Sequence, residues 1–311
     1  MKVLFMGTPE FAAECLEMIA DCGEFTVVGA VSQPDKPKGR GHKLQPTPVK
    51  TAAENRKIPV FQPVSLKNNA FLDELTALSP DIIVVVAYGR ILPKYVLGFP
   101  KYGCVNVHAS LLPKYRGAAP IQRCIIDGEK TTGVTTMYME QGLDTGDMIF
   151  KSETEIGEYE TAGELSNRLS KMGSELIVKT LRAIAEGDAP REKQNDELSN
   201  YAEMLSKDTG KIDWQKSHNE IINLIYGTNP WPVAYTMCGD NVMKIYDAHF
   251  GKDAVNSSPG EVISAGKSGI EVCCGDGVSI IIKELQFKGG KRMAAASYLN
   301  GHSIDIGTVL K

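Results

Sequence analysis

The first half of the chain alternates two patterns: short unbroken apolar runs, and longer stretches in which apolar residues recur every three or four positions. The runs KVLFM (2–6), FTVVGAVSQ (25–33), DIIVVVAYG (81–89), GCVNVHAS (103–110) and TTGVTTMYM (131–139) read as strands. The third is apolar on both faces, as a central parallel strand should be. TPEFAAECLEMIAD (8–21) sets Phe11, Ala12, Cys15, Leu16, Met18 and Ile19 on helical spacing, with Thr8 as N-cap and Pro9 at the first helical position. Helical patterns recur at 47–56, 66–78 and 118–127, and a long one covers 161–186 before Gly187. Strand alternating with helix predicts an α/β fold with a doubly wound, Rossmann-like parallel sheet. Ligands of such sheets bind beyond the C-terminal ends of the strands.

From about residue 207 the pattern changes. PVAYTMC, NVMKIYDAHF, GEVISA, GIEVCCG and VSIIIKELQF are short alternating strands split by Gly, Asn and Asp turns, which predicts a small antiparallel β-barrel. The polar stretch between the halves has little periodicity. The expected organisation is therefore a sheet domain over 1–189, a linker over 190–206 and a C-terminal β-barrel over 207–311.

A chain of 311 residues has room for two such domains. An apolar content of 42% against 23% charged residues is ample for burying a core in each. The net charge of −4 gives no global sign of a polyanionic partner, although local patches steer binding as well as net charge does. The seven cysteines are odd in number and none is spaced like a metal knuckle. They read as reduced core residues of a cytoplasmic protein, and no metal is expected. No leader pattern precedes the first strand, and no apolar run approaches ~18 residues, so no membrane segment is expected.

The candidate chemistry lies at the end of the fourth strand. Residues two apart share a face of a strand, so Asn106 and His108 project together. An amide can stabilise a developing oxyanion, and an imidazole beside it can exchange a proton near neutral pH. The bland alternative is a core histidine satisfied by a backbone carbonyl. SLLPKYRG follows, a loop stiffened by Pro113 that could present backbone groups to a flat heterocycle. Asp144 sits in the turn QGLDTGDM, where a carboxylate could orient His108 or simply close an Asx-turn. QPDKPKGRGHKLQPTPVK (33–50) carries five basic residues, Lys36, Lys38, Arg40, Lys43 and Lys50, against Asp35 alone. Its prolines and glycines keep it irregular, and it suits contact with phosphates unless it is only a solvated loop. KELQFKGGKRM (283–293) is a second, weaker basic patch, because residues 207–311 carry eleven basic and eleven acidic groups.

Taken in order, MGTPEFA, QPDKPKGRGHKLQPTPVK, VVVAYGRILP, NVHASLLPKYRGAAPIQ and GLDTGDM resemble the catalytic domain of the methionyl-tRNA formyltransferases. NPWPVAY and GKRMAAASYLNGH resemble that family's C-terminal, oligonucleotide-binding-type barrel. The resemblance runs nearly end to end. Its Asn–x–His, SLLP and distal Asp belong to the wider folate-dependent formyltransferase superfamily, and the basic loop and second domain choose within it. It implies transfer of the formyl group of 10-formyl-tetrahydrofolate to the α-amino group of methionine on initiator tRNA, for translation initiation. It further implies that Asn106 holds the formyl oxygen as it becomes an oxyanion and that His108 sits beside it as a protonated or proton-donating partner. Asp144 would hold His108 and help take the proton from the amine. Ser110, Leu111, Leu112 and Pro113, with Val86, Tyr88, Gly89 and Ile91, would line the folate pocket. Lys36, Lys38, Arg40 and Lys43 would reach the acceptor end of the tRNA, and Phe11 would help enclose the methionine. His42 departs from a basic position of the family pattern, which touches one phosphate contact and not the chemistry. A monomer is expected.

Three other readings share parts of the pattern. A formyl-folate hydrolase, or a formyltransferase acting on a sugar or nucleotide precursor, needs the same three residues but neither the basic loop nor the barrel. A nicotinamide oxidoreductase is disfavoured because GTPEFA lacks the later glycines of the dinucleotide fingerprint. A non-catalytic tRNA-binding protein has no need of converging Asn, His and Asp.

Overall fold

The computed structural model describes residues 1–38 and 43–311. Strand β1 (Lys2–Gly7) leads into helix α1 (Glu10–Asp21), and β2 (Thr26–Val31) follows. The helix starts one residue later than expected. Pro9 occupies the cap, and the Thr8 hydroxyl instead donates to the Tyr88 carbonyl at 3.2 Å. The basic loop, expected to be irregular, contains a small ribbon. β3 (Lys36–Lys38) pairs antiparallel with β4 (Lys43–Gln45). Then come α2 (Pro48–Asn55), capped by the Thr47 side chain, and β5 (Val60–Phe61). The helix expected over 66–78 is a 3₁₀ turn at Lys67–Asn69 and a shorter α3 (Leu72–Leu78), because Asn68 and Asn69 take left-handed φ of 54° and 59°. β6 (Ile82–Val86), α4 (Lys94–Leu97), β7 (Cys104–His108), β8 (Arg116–Gly117), α5 (Pro120–Ile126), β9 (Thr131–Tyr138), β10 (Met148–Glu155) and the long α6 (Ala162–Glu186) complete this half.

Among the described residues, seven strands make one sheet in the order β10-β9-β7-β6-β1-β2-β5. β1 pairs parallel with β2 and β6, and β6 pairs parallel with β7. β6 is buried at every position, as a strand covered on both faces must be. The fifth expected strand departs from the parallel scheme: β9 runs antiparallel to β7, with His108 opposite Thr135. Apolar periodicity reports burial and is silent on direction. One face of the sheet packs Val3, Phe5, Val84, Val86, Val105 and Val107 against α1, α2 and α6, and the other packs Leu4, Met6, Ile83 and Val85 against Leu66, Phe71 and Leu75.

The chain divides into two compact units, and the division is not a single cut. The first takes 1–117, 132–154 and 166–201, and the second takes 118–131, 155–165 and 202–311. α5 thus belongs with the second unit. It packs on α7 (His218–Gly227) where Gly227 leaves room, since a Cβ there would lie 2.5 Å from Ile126. The segment expected as a linker, 190–206, is bonded into both units. Glu192 exchanges backbone hydrogen bonds with Met148 in the first unit, and Ala202, at the end of the short strand β11 (Tyr201–Ala202), accepts the Ala118 N–H at 3.0 Å in the second.

The second unit holds β12 (Ala234–Cys238), β13 (Asn241–Phe250), β14 (Val262–Gly266), β15 (Gly269–Cys273), β16 (Ser279–Phe287), β17 (Met293–Ala294) and α8 (Ala295–Leu299). The antiparallel ladder runs β12-β13-β16-β15-β14, with β17 on β16. The last residues join its two edges. Thr308 O accepts from Val262 and Leu310 N–H donates to Gly260 O, while Lys311 and Met237 exchange bonds at 2.7 and 3.0 Å. Gly260 needs to be glycine: its φ is +82°, and a Cβ would lie 2.5 Å from the Leu310 carbonyl. Among the described residues no helix is long and apolar enough to cross a membrane.

Candidate active site

β7 is apolar at Val105 and Val107 and polar at Asn106 and His108, so its alternation puts a core face on one side and chemistry on the other. Both polar residues are buried. The chain leaves β7 through a loop pinned to β9. Thr135 Oγ1 donates to Ser110 O at 2.7 Å and accepts from Leu112 N at 3.2 Å, and Ser110 Oγ donates to Lys114 O at 2.6 Å.

That loop brings the Tyr115 carbonyl to 2.8 Å from His108 Nε2. A carbonyl only accepts, so Nε2 carries a hydrogen. The other ring nitrogen, Nδ1, faces the Asp144 carboxylate at 3.7 Å. The bland alternative for His108 therefore holds for one nitrogen, and the second is left for exchange with whatever enters. Asp144 takes a left-handed φ of 52°, which turns its carboxylate inward from an otherwise exposed turn. It accepts the Gly117 N–H at 2.9 Å and lies 3.5 Å from Asn106 Nδ2. Asn106, His108 and Asp144 thus meet at the carboxyl end of β7. The Asn106 contact is long, so its amide hydrogens are only weakly held by Asp144.

The folate set divides. Val86, Leu112 and the ring of Tyr88 are core: Val86 is fully buried, Leu112 packs on Met137 and Met148, and Tyr88 packs with Met6, Val31 and Leu92. The Tyr88 hydroxyl is buried without a hydrogen-bond partner among the described residues, and burial pushes its pKa up. Ile91, on the loop after β6, is 90% exposed, and Gly89 beside it is exposed at φ +77°. Leu111 and Pro113 are half-buried on the neighbouring loop after β7.

Of the basic residues, Arg40 lies outside the described residues, as do His42 and the side chains of Lys38 and Lys43. Lys36 is exposed and donates to Gln33 at 3.0 Å. Lys50 does not join them. It donates to Asp35 at 2.7 Å, and with Gln62 it holds the Asp35 carboxyl below the usual range. Phe11 and Lys36 line a groove of about 710 Å³ with Thr8, Glu14, Gln33 and Ser170.

Comparison with known proteins assigns residues 1–181 to the family described as formyl transferase and 204–303 to the formyl transferase C-terminal domain. The methionyl-tRNA formyltransferase of Clostridioides difficile is 50% identical over 310 residues, covering 100% of both chains. That of Alkaliphilus oremlandii is 52% identical and covers 100% of this chain and 99% of its own. A solved N-formyltransferase from Helicobacter canadensis, in complex with folinic acid and dTDP-3-aminofucose, superposes with a TM-score of 0.69 at 22% identity. It covers 91% of this chain and 98% of its own.

Proposed function

The chain belongs to the formyl transferase family and, within it, to the methionyl-tRNA formyltransferases, and from that premise we propose how its site works. It moves the formyl group of 10-formyl-tetrahydrofolate to the α-amino group of methionine carried by initiator tRNA. The observation that carries the proposal is the meeting of Asn106 Nδ2, His108 Nδ1 and Asp144 at one strand end.

The loops after β6 and β7 suit a reduced folate, because Ile91, Leu111 and Pro113 offer apolar surface beside buried donors and acceptors. When bound, the folate supplies an activated formyl carbon. Asn106 donates to the oxygen on which negative charge develops. The amine attacks only when neutral, so it must shed a proton as the new bond forms. His108 Nδ1 takes that proton, and the Asp144 carboxylate stabilises the imidazolium that results. The imidazolium returns the proton to N10 of the folate as its bond to the formyl carbon breaks, which releases tetrahydrofolate and restores the neutral ring. Tyr115 O keeps the ring in the orientation that leaves Nδ1 free for this. Lys36, with Lys38, Arg40 and Lys43, contacts the acceptor end of the tRNA. The enzyme works as a cytoplasmic monomer.

The test supplies 10-formyl-tetrahydrofolate and methionine-charged initiator tRNA, and counts label on the methionine amine while formate release is followed. Transfer that Asn106→Ala or His108→Ala abolishes is the expected result. Formate without transfer would replace the proposal with a folate hydrolase.

A further inference from the structure

Residues 182–203 lie between the two family regions, and from 190 on they fall in the segment expected as a linker. In the structure they grip both loops that hold His108. Gln194 is half-buried among exposed neighbours. Its amide nitrogen donates to the carbonyls of Asp144 and Gly146, each at 2.8 Å. Its amide oxygen accepts from Arg116 Nε at 3.0 Å and Nη2 at 2.8 Å. Turned over, the amide would face two carbonyls with its oxygen and a guanidinium with its nitrogen, so the partners settle its orientation. Arg116 is tied further to Asp196 at 2.7 Å. Six residues on, Asn200 Oδ1 accepts the Tyr115 N–H, and Asn200 O accepts the Arg116 N–H at 3.1 Å.

The two residues held in this way are the ones that flank the imidazole, Tyr115 on Nε2 and Asp144 on Nδ1. Both have left-handed backbones, at φ 59° and 52°, conformations that persist only where the surroundings impose them. We propose that Gln194 and Asn200 are positioning residues of the active site: together they hold Asp144 and Tyr115 at the separation that orients His108. The proposal rests on the reading that His108 and Asp144 carry the transfer.

The experiment uses the full chain with Gln194→Ala, Gln194→Glu, Asn200→Ala and Asn200→Asp, and His108→Ala as reference. Glutamate at 194 still accepts from Arg116 but has no N–H for the 144–146 carbonyls. Aspartate at 200 still accepts from Tyr115. Steady-state rates, KM for each substrate, thermal midpoints and the ¹⁵N resonances of the His108 ring are measured. Both Gln194 variants and Asn200→Ala should lose about 10- to 100-fold in kcat, as ångström-scale misplacement does, with KM for the folate within about threefold. Asn200→Asp should restore kcat to within about threefold, and the His108 Nδ1 resonance should move in the Gln194 variants. If Gln194→Ala melts early, Gln194→Glu, which keeps the Arg116 pair, supplies the answer. Unchanged kcat with unchanged His108 resonances, or Asn200→Asp as impaired as Asn200→Ala, overturns the proposal. A fully active His108→Ala would instead overturn the catalytic reading, while the ring resonances of the other variants still report on positioning.

Discussion

Replacing Asp144 by Asn separates charge from shape at the active site. The amide can still accept the Gly117 N–H through its oxygen, so the turn keeps its anchor. What disappears is a negative charge 3.7 Å from His108 Nδ1. Two unit charges at that distance attract by about 4.5 kcal/mol at an effective dielectric of ~20. The Asp144 side chain is 14% exposed, so water screens part of this. Keeping half to nearly all of it gives about 2–4 kcal/mol, or about a 30- to 1,000-fold loss of rate. In the proposed mechanism His108 gains its positive charge with the proton of the attacking amine. The loss therefore falls on the transition state, and kcat drops while KM for the folate stays within about threefold. Single-turnover transfer of labelled formyl to methionyl-tRNA reads the chemical step directly. A loss below about fivefold, or a KM that rises as far as kcat falls, would refute the reasoning.

Three further outcomes follow from features away from that contact. Gly146→Ala places a Cβ 1.9 Å from the Tyr138 carbonyl, in backbone that Tyr138 N–H anchors to Asp147 O, so it should destabilise the fold by about 3 kcal/mol or more and lose activity with it; a thermal midpoint equal to wild type would contradict this. Burial works against the Glu271 carboxylate, but hydrogen bonds from Ser279, Ser264 and Lys252 outweigh it and hold its pKa below the usual range. A lowered folded pKa stabilises the fold above the unfolded value and is lost as pH falls through the folded one, so Glu271→Gln should cost about 1–3 kcal/mol at pH 7 and progressively less below about pH 4; urea unfolding across pH 3–7 with a constant gap would rule this out. Lys36→Ala should weaken tRNA binding and reduce the slope of log K against log salt by about 0.7–0.9 if the ammonium meets a phosphate, and an unchanged slope would place it outside the interface.

Much of the site was legible because it lies on a strand. β7 announces itself by Val105 and Val107 between polar neighbours, and the two-residue period then gives the shared direction of Asn106 and His108. The long α6 was equally plain, expected over 161–186 and found over Ala162–Glu186. The reversed β9 was not legible, because a fully buried strand looks the same in either direction. Gln194 and Asn200 were hidden for another reason. They act through single amides on backbone groups 50 and 85 residues away, and such bonds leave no periodicity in the surrounding sequence. Charge counting also misjudged Lys50, which answers Asp35 rather than a partner in solution. The same opacity affects domain boundaries, since α5 sits in the sheet half of the sequence and in the second unit of the structure.

The strip from Thr308 to Lys311 gives the second unit a seam. An antiparallel ladder has two margins of unpaired N–H and C=O groups, and either one invites another chain. Here one short length of backbone touches both, bonding to Gly260 and Val262 on one side and to Met237 on the other, with Leu310 buried beneath it. The two margins are not equally dependent on it. On the β12 side Ile212 N–H also donates to Tyr235 O at 2.9 Å, so part of that edge stays paired when the strip lifts. Fraying of the strip therefore bares chiefly the Gly260–Val262 margin, and one adhesive edge per molecule stops at a pair, whereas two permit open-ended stacking.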